Sequence, residues 1–257
     1  MRTVENRGTT NGAVQLVTPN GLSGHAPLKR GNNAADDDTF LTFSFPVPAV
    51  NPATNKPGHL YVAYADGGTN ANDKSDIFFT SSTNSGTNWT SPLRVNTDAT
   101  TNDQWMPVLC VKPDGTQLFM AWYDRRNDTN NSSIDLYGRF GTIATNGNVS
   151  FATEFRITTT NSPPVFAGTL SSNTNQGHYD PVYPPVGVNL HWWYSDWPDD
   201  PSFATFNNWI GHVGEYNGAY AEPSFVYVTW TDNRSLAMNT LFSRFQPDVR
   251  FIKLAWP

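Results

Sequence analysis

Asp124-Arg125-Arg126 and Asp232-Asn233-Arg234 each follow a run of alternating aromatic or branched residues, Leu118–Tyr123 and Val226–Thr231. A third such run, Leu60–Ala65, ends in Asp66. These residue types suit a particular chemistry. Arg125, Arg126 and Arg234 can each hold a carboxylate through two parallel N–H donors, the special capacity of a guanidinium. Asp124, Asp232 and Glu215, placed on opposite sides of a sugar, can supply the acid and the nucleophile or base of glycoside hydrolysis. Trp105 or Tyr216 can stack on a sugar face. Asp66 completes the binding set, and Tyr216 stands with Glu215 as a catalytic candidate. The two are sequence neighbours, so on a strand they point to opposite faces, which argues against a direct Tyr–Glu relay. The Asp–Arg pairs also have a plainer reading, a turn whose salt bridge tethers neighbouring modules.

Bringing residues so far apart in the chain to one place requires a repeating fold. Apolar spacing of the helical kind is absent from every long segment, and short aromatic or β-branched runs bounded by Gly, Pro, Asn and Asp predominate. The class read from this is all-β. Leu60–Asp66, Leu118–Asp124 and Val226–Asp232 align, and Leu190–Asp196 is a weaker copy. Candidate strands precede the three clear copies at 46–51, 106–111 and 216–221, and others follow at 76–79, 135–138 and 240–243. Three or four short strands per repeat of about 50 residues is the signature of a β-propeller blade. The expectation is therefore a propeller of four-stranded antiparallel blades, with about four or five blades or as a fragment of a larger ring. Residues 1–38 are a polar segment, with a closing strand at 13–17. Blades fill 39–257, with a long Pro- and aromatic-rich insertion near 158–212. In that arrangement Asp66, Asp124 and Asp232 share one rim with residues 103–105 and 215–216.

Composition narrows the classes. The chain has 257 residues with 14% aromatic and only 15% charged side chains. So many rings exclude wholesale disorder, and so few charges exclude a charged helical bundle. A net charge of −6 speaks against nucleic acid and anionic membranes as partners. No apolar stretch is long enough to span a bilayer, and the N-terminal residues lack the apolar core of a signal peptide. The single cysteine, Cys110, sits in an apolar run and reads as a core residue. His25, His59, His178, His191 and His212 lack helical metal-site spacing, so no metal site is expected from them. Asp36-Asp37-Asp38 offers hard oxygens to calcium, or is a solvated acidic turn.

One motif resembles a known family. Ser82-Thr83-Asn84-Ser85-Gly86-Thr87-Asn88-Trp89 is similar to the Asp-box, or BNR repeat, of sialidase-like β-propellers, with Asn84 where Asp is usual. Residues 92–96, 121–126, 214–216 and 229–234 look like neighbouring parts of that family, and the likeness spans about 43–257. The resemblance implies a secreted, bacterial-type protein that binds a glycan or polysaccharide at the propeller rim. It implies an exo-glycosidase acting on acidic sugars without a cofactor. The alternative is a non-catalytic propeller that binds polysaccharide or a protein partner. The family's Phe/Tyr-Arg-Ile-Pro motif is met only by Phe155-Arg156-Ile157-Thr158, in mid-chain and without the Pro, which supports that alternative.

Overall fold

The computed structural model describes residues 44–68, 73–162, 217–238 and 243–257, with position 17 and four short strands nearer the N-terminus. Those four, β1 (Val4–Asn6), β2 (Thr10–Gly12), β3 (Leu28–Lys29) and β4 (Thr39–Phe40), pair as β1 with β2 and β3 with β4. Of the closing strand expected at 13–17, residues 13–16 lie outside the described residues. The rest is three antiparallel sheets, and no helix occurs among the described residues. The first sheet holds β5 (Val47–Val50), β6 (Leu60–Asp66), β7 (Asp76–Ser82) and β8 (Leu93–Arg94) in that order. The second runs β9 (Gln104–Val111), β10 (Gln117–Asp124), β11 (Asp135–Ile143), β12 (Val149–Phe151), and β13 (Phe155–Arg156) also pairs with β11. The third is β14 (Gly218–Ala221), β15 (Phe225–Met238) and β16 (Ser243–Ala255).

The sheets stack face to face because β10 is apolar on both sides. Strand alternation sends Leu118, Met120 and Trp122 toward the first sheet, against Tyr61, Ala63, Ile77 and Phe79. Phe119, Ala121 and Tyr123 point the other way, against Val226, Val228 and Trp230 of the third sheet. The initial strands β5, β9 and β14 lie side by side in this stack. The second and third sheets thus pack directly on each other. The weaker copy expected between them, Leu190–Asp196, lies outside the described residues.

One register departs from the sequence reading. Asp66 pairs with Asp76 and Asp124 with Asp135, as the aligned repeats require. In the third sheet, however, Asp232 pairs with Asp248. The equivalent segment is therefore Asp248–Phe251 and not residues 240–243. The cause is an irregularity between Asp232 and Ser235, beyond which β15 runs on to Met238 and lengthens the hairpin.

Two devices hold the edge of the stack far from these aspartates. The Asp-box-like turn joins β7 to β8. Ser82 Oγ accepts the Gly86 N–H at 3.0 Å, and Asn84 Oδ1 accepts the Asn88 N–H at 2.9 Å. Ser85 and Gly86 have φ of 58° and 83°, the left-handed values a tight turn needs. Asn thus does the work of the usual Asp. The second device is Lys56, buried between the first two sheets. Its Nζ donates to the carbonyls of Gly115, Ile143 and Ala144 at 3.1, 3.2 and 3.2 Å, using all three protons on two turns of the second sheet. Lys56→Met leaves three carbonyls without this donor, and urea denaturation should show a loss of about 1–3 kcal/mol.

Candidate functional site

The repeated Trp-x-Asp-x-Arg sequence folds into the same constellation twice. Trp122 Nε1 donates to Asp124 Oδ2 at 2.9 Å, because residues two apart on a strand share a face. The chain then turns, and the Arg126 backbone N–H returns to Asp124 Oδ1 at 2.8 Å. Arg126 Nε reaches both carboxylate oxygens at 2.9 Å. In the third sheet Trp230 Nε1 donates to Asp232 at 3.3 Å, the Arg234 N–H at 2.9 Å and Arg234 Nε at 2.8 Å to both oxygens. The first sheet keeps only part of this. Tyr64 stands in the Trp position and Gly68 in the Arg position, and the Gly67 N–H donates to Asp66 Oδ1 at 2.8 Å.

These ends lie along one edge of the stack. The Gln104 N–H donates to the Ser75 carbonyl at 2.8 Å, joining the start of β9 to the start of β7. Tyr123 Oη donates to the Thr231 carbonyl at 2.8 Å and accepts the Thr231 N–H at 3.1 Å, joining the second sheet to the third. The arginines link further acids. Arg126 also binds Glu154 and lies 3.7 Å from Asp98. Arg94 Nε sits 2.6 Å from Asp76, with Asp98 and Asp73 at 3.5 and 3.9 Å. Buried Asn96 donates to Asp76 at 2.6 Å and to Gln104 Oε1 at 2.8 Å, and accepts the Ile77 N–H at 2.8 Å.

Burial sets the proton affinities along this edge. It pushes the Asp124 carboxyl up, against the opposing pull of Arg126. At Asp232 burial also works upward, but the Arg234 pair outweighs it and holds that carboxyl below its ordinary value. Asp73 is raised to about 7, by burial first and then by the Asp76 charge, with Arg94 opposing. Behind the edge, Arg125 and Asp103 form a fully buried pair at 3.2 Å. Asn131 Nδ2 donates to the same Asp103 oxygen at 3.0 Å, and the guanidinium lies 4.8 Å from the Trp105 ring centroid. Burial raises Asp103 and lowers Arg125, each partly offset by the other.

The expected site residues therefore divide. Asp66, Asp124, Arg126, Asp232 and Arg234 come to one edge. The aspartates are buried, and Asp124 and Asp232 are bound by arginines of their own sheets; the same arginines reach on toward the neighbouring sheet, Arg126 to Asp98 at 3.7 Å, which also pairs with Arg94, and Arg234 Nη1 to Thr160 Oγ1 at 2.9 Å. Arg125 is enclosed with Asp103, not presented for a carboxylate. Trp105 is fully buried, 5.3 Å from the Tyr123 ring, and offers no face to a sugar. The reason is local. Met106 has φ of 50° and the β9–β10 register shifts between Ala121 and Tyr123, so Trp105 and Met106 both enter the core facing the third sheet. Glu215, Tyr216 and the calcium candidates Asp36–Asp38 lie outside the described residues. Among the described residues, no group of three or more His, Cys, Asp or Glu could hold a metal ion, and no helix is long and apolar enough to cross a membrane.

Sequence reasoning missed Asp73, Asn96, Asp98 and Glu154. All four lie in connections or short segments outside the aligned repeats, so no periodic signal marks them. Searches against family models and against curated proteins found no match to this chain.

Two measurements test the electrostatics. Asp73 binds its proton more tightly folded than unfolded, so it lowers stability as pH rises from about 4 to about 7. Asp73→Asn removes that ionisation, and its melting temperature relative to wild type should climb across the same window; a constant difference would contradict the assignment. Removing one partner of the buried pair, as in Arg125→Ala, should cost about 3–5 kcal/mol in chemical denaturation.

Proposed function

We propose that the chain is a secreted, sialidase-like propeller module that binds polysaccharide containing acidic sugars through its ionic edge and does not hydrolyse it. The observation that carries this is the closure of the Asp–Arg pairs. Asp124 and Asp232 each accept from an indole N–H, a backbone N–H and an arginine of their own sheet, and both are buried. A nucleophile or acid must reach the glycosidic bond; these carboxylates instead fix the arginines. Arg94, Arg126 and Arg234 keep part of their side chains in solvent. They form a row of donors that is already ordered, which lowers the entropic cost of gripping a hydroxyl-rich, acidic ligand. The side-by-side initial strands and the Asp-box-like turn support the propeller part of this reading.

The hydrolase alternative draws on one observation, the Asp73 carboxyl raised to about 7, where a general acid works. A single assay separates the two. Isothermal titration should show binding to acidic polysaccharides and not to neutral ones, weakened about ten-fold by Arg234→Ala, the weight of one charged hydrogen bond. Reducing-end assays on the same polymers should show no release. Release that disappears in Asp73→Asn or Asp124→Asn would replace the binding reading with the hydrolytic one.

A further inference from the structure

The outward face of the third sheet shows a second use of the molecule, independent of the ionic edge. Registers make the comparison direct. Across the second sheet, Cys110, Phe119 and Phe140 stand level with one another, as do Val108, Ala121 and Gly138. This face of the second sheet is the one that packs on the third. The counterparts in the third sheet are Tyr220, Tyr227 and Lys253, then Gly218, Thr229 and Phe251. They lie on its other face, since Val226, Val228 and Trp230 turn toward the second sheet. The repeat therefore places a sheet-docking surface here. Among the described residues it is uncovered: Tyr220 is 67%, Phe251 60% and Val249 80% exposed. Large apolar residues gathered on one face mark an interaction site more often than scattered ones do.

We propose that this face docks the same face of a second copy of the chain, about a two-fold axis running along the central strand β15. Such an axis keeps the level along the strands and exchanges β14 for β16. The surface is complementary to itself under that exchange. Phe251 comes opposite Gly218, which has no side chain to obstruct it, and both stand level with Thr229. Lys253 comes opposite Tyr220 and beside Glu222, whose carboxylate accepts from Tyr227 Oη at 2.9 Å. The Lys253 cation, which sits 3.6 Å from the Phe225 ring centroid of its own chain, thus also meets the aromatic ring and the acid of the other copy. Tyr227, stacked on Phe251 with centroids 5.9 Å apart, meets its own copy at the axis. The two sheets pack in the aligned manner already used within the chain.

The area sets the strength. Three strands about 4.8 Å apart, with about 3.4 Å per residue over Phe225–Thr231, give a face of roughly 350 Å², so a pair buries roughly 700 Å². Permanent interfaces exceed about 1,000 Å², so this pairing is weak and depends on concentration.

Sedimentation equilibrium from about 5 µM to about 1 mM should show a reversible monomer–dimer equilibrium. Phe251→Asp should raise the dissociation constant at least about thirty-fold, the usual weight of a central aromatic. Lys253→Glu alone should weaken the dimer, and Lys253→Glu combined with Glu222→Lys should restore it. The charge exchange decides the matter if Phe251→Asp fails to fold by circular dichroism. A monomer at every concentration overturns the proposal, as does a dimer indifferent to the charge variants. Binding of a soluble polysaccharide that quenches tyrosine fluorescence of the monomer, and is lost in Tyr220→Ala, would assign the face to a glycan instead and also overturn it.

Discussion

The arrangement depends on burying both faces of β10. A strand exposed on one side alternates polar and apolar residues, but Leu118–Tyr123 has no polar position. It can be satisfied only with a sheet on each side. That requirement fixes the order of the three sheets and brings the starts of β9 and β14 together. It also brings Asp66 and Asp124, at the ends of β6 and β10, and Asp232, at the irregularity within β15, onto one edge. Trp122 shows the coupling most plainly. Its ring fills the contact with the first sheet, while its N–H orients the carboxylate that in turn holds Arg126.

The edge is shaped by how much each acid is buried and how it is matched. Asp66 and Asp76 stand opposite each other, as do Asp124 and Asp135 and Asp232 and Asp248. Like charges in such positions destabilise a sheet unless each finds a partner. Partners are supplied separately: Arg94 and Asn96 to Asp76, Arg126 to Asp124, Arg156 and Thr158 to Asp135, Arg234 to Asp232, Arg250 to Asp248. The edge is therefore crowded with charge yet already internally paired.

Much of the fold was legible because its signals are periodic. The all-β class and the three aligned strands of each of the first two sheets follow from alternation and turn residues, and the turn after β7 from its resemblance to the Asp-box. The third-sheet register was not legible, because the irregularity after Asp232 adds residues that no pattern announces. For the site, the motif positions were readable and their roles were not. Whether Arg126 reaches outward or folds back onto Asp124 depends on a turn two residues long. Trp105 reads as a platform because it precedes an expected strand, but β9 begins at Gln104 and is buried on both faces, so neither orientation exposes the ring. Asp73 carries no sequence signal, since its raised proton affinity comes from burial and from Asp76, whose placement beside it is a matter of tertiary packing.

Native-state hydrogen exchange resolved along the chain tests the double burial of β10 most directly. The backbone amides of residues 118–123 should be the slowest in the molecule and open only with global unfolding, while those of β16, with one face in solvent, exchange through smaller openings. Exchange in β10 as fast as in β16 would contradict the stacked arrangement.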